Sequence, residues 1–257
     1  MAEEKRQFPT EVIDLPSKGY FYPKDNPLSS GQVEIKYMTA REEDILTSSN
    51  LIQKGIVLDK LLEALVVSDI NMDDVLIGDK NAIMVASRVL AYGKDYPITF
   101  TDASSGRKRE ETVDLTKLDD KKVDFNQFTK EVNEHEFELP VSKRKLTFKF
   151  LAQSDEKKIA SELKAMKKFT KESGVDPEIT TRLKASILAL DGEREKNTIN
   201  QFVDNEFLAV DSFAYRTRLT ELTPDVDLTI MVELDDGEVE EVAVPVTATF
   251  FWPSSKR

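Results

Sequence analysis

Few of the 257 residues can move a proton, bind a metal or attack an electrophile, and those few are poorly spaced for it. Cysteine is absent, which removes thiolate nucleophiles, disulfides and cysteine-ligated zinc. The single histidine, His135, stands in Glu134-His135-Glu136-Phe137 with no serine elbow and no second histidine, so neither a triad nor a histidine metal cluster can be built around it. Adjacent carboxylates at Asp73-Asp74 and Asp235-Asp236 have the right types for acid–base work or a hard cation. In a chain 33% charged, such pairs read as solvated turns or helix ends, and neither has the alternating spacing of a calcium loop. Ser17-Lys18-Gly19 has phosphate-loop residue types but lacks the spaced glycines before the lysine and a helix directly after it. No catalytic residue, cofactor or metal is expected, and the chain reads as a non-enzymatic binder.

Aromatic clusters are the material for that binding. Lys18, Tyr20, Phe21 and Tyr22, in the loop LPSKGYFYPKDNPLSSG of residues 15–31, and Phe250, Phe251 and Trp252, in ATFFWP, are the candidate partner-binding residues. Such clusters bury large areas, either as a clasp on the core or as an interface anchor, and the sequence leaves both roles open. Lys164, Lys167, Lys168 and Lys171 share one helix face, suited to an acidic partner or to water. Arg107-Lys108-Arg109 and Lys143-Arg144-Lys145 fall at turns and strand edges, where basic residues block edge pairing. A formal charge of −12 disfavours nucleic acid, and no run approaches the ~18 apolar residues of a membrane helix. Oligomeric state is not legible.

The positioning elements follow from periodicity. Val33 to Met38 alternates as a strand, and Thr39 caps a helix with Glu42, Glu43 and Asp44 in its first turn. Leu58, Leu61, Leu62, Leu65 and Val66 predict a helix over 57–67, and Asp79 is expected to cap another over 80–92, stopped by Gly93. Tyr96 to Thr101 and Glu111 to Leu115 predict a hairpin. The second half restates this order. Leu146 to Leu151 resembles the first strand, with Lys149-Phe150 matching Lys36-Tyr37. Ser154-Asp155-Glu156 opens a helix striped by Ile159, Leu163, Met166 and Phe169, and residues 182–190 read as a helix matching 60–67. Asp204 to Tyr215 is expected to mirror Asp79 to Leu90, and Leu228 to Leu234 with Val239 to Val246 forms a second hairpin. The expected fold is α+β, with two similar lobes from an internal duplication. Each lobe holds a strand, about three helices and a terminal hairpin. The expected boundaries are an extended clasp over 1–32, lobes over 33–120 and 146–257, and a linker over 121–145. Leu139-Pro140-Val141-Ser142-Lys143 faintly echoes Leu15-Pro16-Ser17-Lys18, suggesting a lead-in clasp used twice.

Read in order, Leu15-Pro16-Ser17-Lys18-Gly19, Tyr22-Pro23, Lys36 to Leu46, Gly78-Asp79 and Tyr92-Gly93 resemble the baseplate hub assembly proteins of T-even-type contractile-tailed bacteriophages. The second half resembles that family only through the repeat and its Phe-Phe-Trp-Pro segment. Relatives with cysteine pairs at the hairpin tips would hold zinc there. Here the tips are Asp102-Ala103-Ser104-Ser105 and Glu233-Leu234-Asp235-Asp236, so zinc is not expected. The resemblance implies a tail protein of the host cytoplasm or virion, partnered by tape-measure and baseplate hub proteins.

Overall fold

The computed structural model describes residues 9–167, 177–246 and 248–252, and every statement below concerns those residues. They form a mixed α+β fold of α-helices and small antiparallel sheets. In Gln32–Lys36 (β2) the alternation buries Val33 and Ile35, as one covered face of a sheet requires. Its partner Thr10–Asp14 (β1) pairs antiparallel with Ile13 opposite Val33 and Glu11 opposite Ile35. β1 lies inside the stretch expected only to be an extended clasp. Its mostly exposed side chains leave little apolar alternation to read.

Thr39 precedes Ala40–Thr47 (α1). Glu42 accepts hydrogen bonds from the Thr39 N–H at 2.9 Å and from the Lys36 ammonium at 2.8 Å. Burial alone would raise the Glu42 pKa, but these donors outweigh it and hold the carboxyl down at about 2. Ser49–Lys54 (α2) and Val57–Leu65 (α3) follow, and α3 buries Val57, Leu61, Leu62 and Leu65. Ile77–Tyr92 (α4) then leads into the hairpin of Asp95–Thr101 (β3) and Lys108–Asp114 (β4). Asp79 is not the cap of α4: Leu76 holds that place, and Asp79 sits in the first turn with its side chain buried.

The second half opens with His135–Glu138 (β5) paired to Lys145–Phe148 (β6), Phe137 opposite Leu146 and His135 opposite Phe148. After β6 comes Gln153–Lys167 (α5). Asp155 accepts from the Ala152 N–H at 3.1 Å and from the Lys149 ammonium at 2.7 Å, as Glu42 does from Thr39 and Lys36. Phe169, Lys168 and Lys171 lie outside the described residues. Residues 182–190 are not one helix: Glu178–Ser186 (α6) ends first, and Ile187–Leu190 (β7) pairs antiparallel with β6. Four consecutive apolar residues suit a buried strand as well as a helix, and pairing with β6 decides the matter. Lys196–Gln201 (α7) is followed by a π-turn over Phe202–Glu206. Asp204 lies in that turn, and the long helix Ala209–Leu222 (α8) begins after it. The buried acid in the first turn of α8 is Asp211, seven places on from Asp204. Thr229–Glu233 (β8) and Val239–Ala243 (β9) form the last hairpin.

One apolar core runs through both halves, joining Leu15, Ile83, Phe148, Tyr215 and Phe250. The segment over 121–145 is tied into it: Phe125 and Phe128 pack on Phe21, and β5 belongs to the sheet of β6. The halves also meet backbone to backbone. The Ile77 N–H donates to the Leu151 carbonyl at 3.0 Å, and the Gln153 N–H donates to the Val75 carbonyl at 2.9 Å. A side chain at Gly78 would bring a Cβ to 1.9 Å from the Pro224 carbonyl oxygen.

Candidate partner-binding site

The loop of residues 15–31 is closed by the Leu15 N–H donating to the Gly31 carbonyl at 2.8 Å. Gly19 has φ +71°, and a Cβ there would lie 2.4 Å from the Ser29 carbonyl oxygen, so only glycine fits this approach. Inside the loop, Ser17 donates through its N–H to Asp79 Oδ1 at 2.9 Å and through its hydroxyl to Oδ2 at 2.7 Å. The Tyr22 hydroxyl donates to Asp79 Oδ2 at 2.6 Å and accepts the Leu76 N–H at 2.9 Å. Burial raises the Asp79 pKa, and burial beside that carboxyl pushes the Tyr22 phenol up. The donors that resemble a phosphate cradle are therefore already spent on the chain's own carboxylate.

The loop over residues 139–143 likewise sets backbone N–H groups on a buried acid, although Ser142 Oγ has no hydrogen-bond partner among the described residues. Val141 and Ser142 donate their N–H groups to Asp211 at 2.8 and 2.9 Å. Asp211 is fully buried in the first turn of α8. Burial pushes its pKa up, but the Ser142 and Val141 donors outweigh that and hold it below the usual range. Neither acid was visible as the clasp's anchor, because each lies some 60 to 70 residues from its clasp. The repeated Leu-Pro with Ser-Lys was the one available signal.

Phe21 is buried against Phe128 at 5.1 Å and Phe150 at 4.9 Å between ring centroids, with His135 at 5.4 Å. Among these rings His135 Nε2 has no hydrogen-bond partner, and burial lowers its pKa to about 4. The Tyr20 hydroxyl donates to the Phe128 carbonyl at 3.2 Å, and the exposed Lys18 holds its ammonium 5.1 Å from the Phe125 ring. Phe250 stacks edge-on to Tyr96 at 4.8 Å and to Phe251 at 5.4 Å, and its carbonyl accepts from Arg88 Nε at 2.9 Å. Phe21, Tyr22, Phe250 and Phe251 thus face the core of this chain. Lys18 lies at the surface, with Tyr20 and Trp252 half-buried.

The other sequence candidates are dispersed. Asp73 pairs with Lys157 at 2.5 Å, and Asp235 donates its N–H to Asp102 at 3.0 Å. Among the described residues no group of three or more acids or imidazoles is placed to hold a metal ion. The surface does carry apolar side chains that the sequence did not mark: Leu208, Val210 and Phe213 at the start of α8, and Met231 on β8.

A family model described as T4 bacteriophage base plate protein matches residues 12–252. The chain belongs to this family. The match to the baseplate family begins in β1 and ends at Trp252, so both clasps, both buried acids and both aromatic groups lie inside it. No curated protein and no solved structure matches the chain. The resemblance carried by the N-terminal motifs is borne out, and the protein is a T4-type phage baseplate protein whose expected partners are other baseplate proteins. No described helix is long and apolar enough to cross a membrane.

Proposed function

We propose that this baseplate-family protein is a non-enzymatic assembly factor of the host cytoplasm. In this reading it organises tape-measure and baseplate hub proteins before the tail tube polymerises. The observation that carries the reading is where the polar chemistry goes: the buried acids Asp79 and Asp211 are engaged in holding loops, while strand edges and apolar side chains are left at the surface. Such edges take extended partners by strand addition, and such faces take helices.

The recurring geometry supports an internal duplication. Ile13 and Phe137 lie 124 apart and Val33 and Leu146 lie 113 apart, yet each pair sits at the same place in its hairpin. Residues 33–120 and 146–257 are then the two lobes, with 1–32 and 121–145 as their lead-ins. Lys18, Tyr20 and Trp252 are the surface members of the candidate contact set, with Phe21, Tyr22, Phe250 and Phe251 setting their positions from beneath.

Affinity purification from infected cells is expected to recover tape-measure or hub components, with the protein scarce in purified virions by quantitative mass spectrometry. Stoichiometric copies in the virion would make it a structural baseplate subunit instead. Normal tails from a deletion phage, with no tail protein recovered, would overturn both.

A further inference from the structure

The β3–β4 and β8–β9 hairpins lie edge to edge without pairing. β4 runs from its tip toward its base and β8 runs from base to tip, so the two are antiparallel neighbours. At the base they are joined by a bridge between Asp120 and Val226 and by the Asp227 N–H donating to the Asp119 carbonyl at 2.8 Å. At the tip Asp235 donates its N–H to Asp102, and Arg109 Nη1 donates to the Glu233 carbonyl at 2.7 Å. Between these ties β3–β4 and β8–β9 remain separate two-stranded sheets. The gap is a cleft of about 580 Å³, lined by Arg109, Glu111 to Asp114, Lys117, Leu118 and Thr229 to Glu233. That is within the ~300–1,000 Å³ typical of ligand clefts.

Hydrogen-bond parity says which groups face this gap. In an antiparallel pair, residues alternate between exchanging both backbone bonds with the partner and turning them outward. The bonds Leu115 N–H to Lys94 carbonyl and Asp102 N–H to Arg107 carbonyl set the alternation in the first hairpin. They leave Lys108, Glu110, Thr112 and Asp114 with backbone groups directed away from β3. In the second hairpin, Val244 N–H to Leu228 carbonyl and Leu234 N–H to Glu238 carbonyl do the same for Thr229, Met231 and Glu233. The Glu233 carbonyl does accept a donor from the β4 side, as this parity requires.

Charge names the occupant. Residues 228–243 carry Glu233, Asp235, Asp236, Glu238, Glu240 and Glu241 with no lysine or arginine, while β4 sets Glu110, Glu111 and Asp114, the last paired with Lys94, against Lys108 and Arg109. Of the two cations in the cleft wall, Arg109 and Lys117, the guanidinium is engaged by Asp102 and Asp235. Met231, 68% exposed on the β8 edge, offers an adaptable apolar contact. A second copy of this chain, at −12, would bring like charge to an acidic edge.

We propose that the cleft between β4 and β8 receives an extended, lysine- or arginine-rich partner strand, which joins the two hairpins into one five-stranded sheet. The proposal rests on the reading of the chain as a binder and adds the place and the chemistry.

The test uses the full-length protein and a fluorescein-labelled peptide alternating lysine and valine over eight residues. Anisotropy is expected to show saturable binding that weakens with salt. A peptide with proline at two central positions, which cannot donate main-chain bonds, is expected to bind at least tenfold more weakly. Met231→Lys and Glu110→Lys, both at exposed positions, are each expected to weaken binding at least fivefold with Tm unchanged. Hydrogen exchange is expected to slow at Glu110, Thr112 and Met231. Equal binding of the two peptides, protection confined to other segments, no binding at all, or peptide-independent dimerisation through the cleft would each overturn the proposal. A protein that takes the peptide yet associates with no tail component would fail the assembly reading alone. One that recovers tail proteins but ignores the peptide would fail this proposal alone.

Discussion

Asp79 receives three hydrogen bonds and sits in an apolar interior, so its removal leaves donors rather than a charge without partners. Orphaned buried donors cost roughly 1–3 kcal/mol each before relaxation, and Asp79→Ala is expected to destabilise by about 3 kcal/mol in urea denaturation. Tyr22→Phe removes one of those donors, and a double-mutant cycle should return a coupling of about 1 kcal/mol or more. An Asp79→Ala cost below ~0.5 kcal/mol would show that the clasp is held by its aromatics alone. His135 makes the opposite kind of prediction. Its pKa is about 4 in the fold against an ordinary 6.5, so the unfolded chain takes the proton first as pH falls. Its contribution is complete above pH 6.5 and is lost progressively down to about pH 4. The loss amounts to about 3 kcal/mol, and His135→Leu should flatten that limb of the stability curve. An unchanged pH profile in the variant would place the acid sensitivity elsewhere.

At the scale of elements, the junction between α4 and the Pro224 segment is the tightest described approach of backbone to a glycine. Gly78→Ala forces a carbonyl away from a Cβ at 1.9 Å and is expected to cost at least 2 kcal/mol by thermal unfolding. Gly55→Ala, with nothing within 4 Å but φ +71°, provides the comparison at about 1 kcal/mol. Equal costs at the two sites would mean that the halves give way there. Periodicity made α3, α5 and both terminal hairpins legible through a clear apolar stripe or alternation, and α1 was legible from Thr39 and its first-turn acids. β7 was not, since four apolar residues in a row carry no period, and only β6 makes them a strand. β1 was hidden by a mostly exposed surface. Asp79 reads as a helix cap and Asp211 is unmarked, because what distinguishes them is a loop arriving from far along the chain.

For the whole molecule, the continuous core predicts one cooperative transition rather than the two that separate lobes would give. Coincident unfolding of α4 and α8 amides in hydrogen exchange would confirm it, and separate transitions would show lobes that stand alone. Arg88 is central to this coupling. It is 2% exposed, donates to the Phe250 carbonyl and to the Gly93 carbonyl, and lies 5.2 Å from the Tyr92 ring. Arg88→Ala is expected to cost about 3 kcal/mol, and to raise exchange in β3 as well as near Phe250. A loss confined to residues 248–252 would limit its role to anchoring that segment.

The bond between Arg88 and Phe250 spans 162 positions of sequence, which sets a clock on synthesis. At ribosomal rates of ~5–20 residues per second, α4 waits on the order of 8–32 s before its guanidinium meets its carbonyl. During that interval Arg88 has its local partners, the Gly93 carbonyl and the Tyr92 ring, but not the Phe250 carbonyl. A chain that stops short of Phe250 therefore lacks the carbonyl that Arg88 Nε uses in the fold.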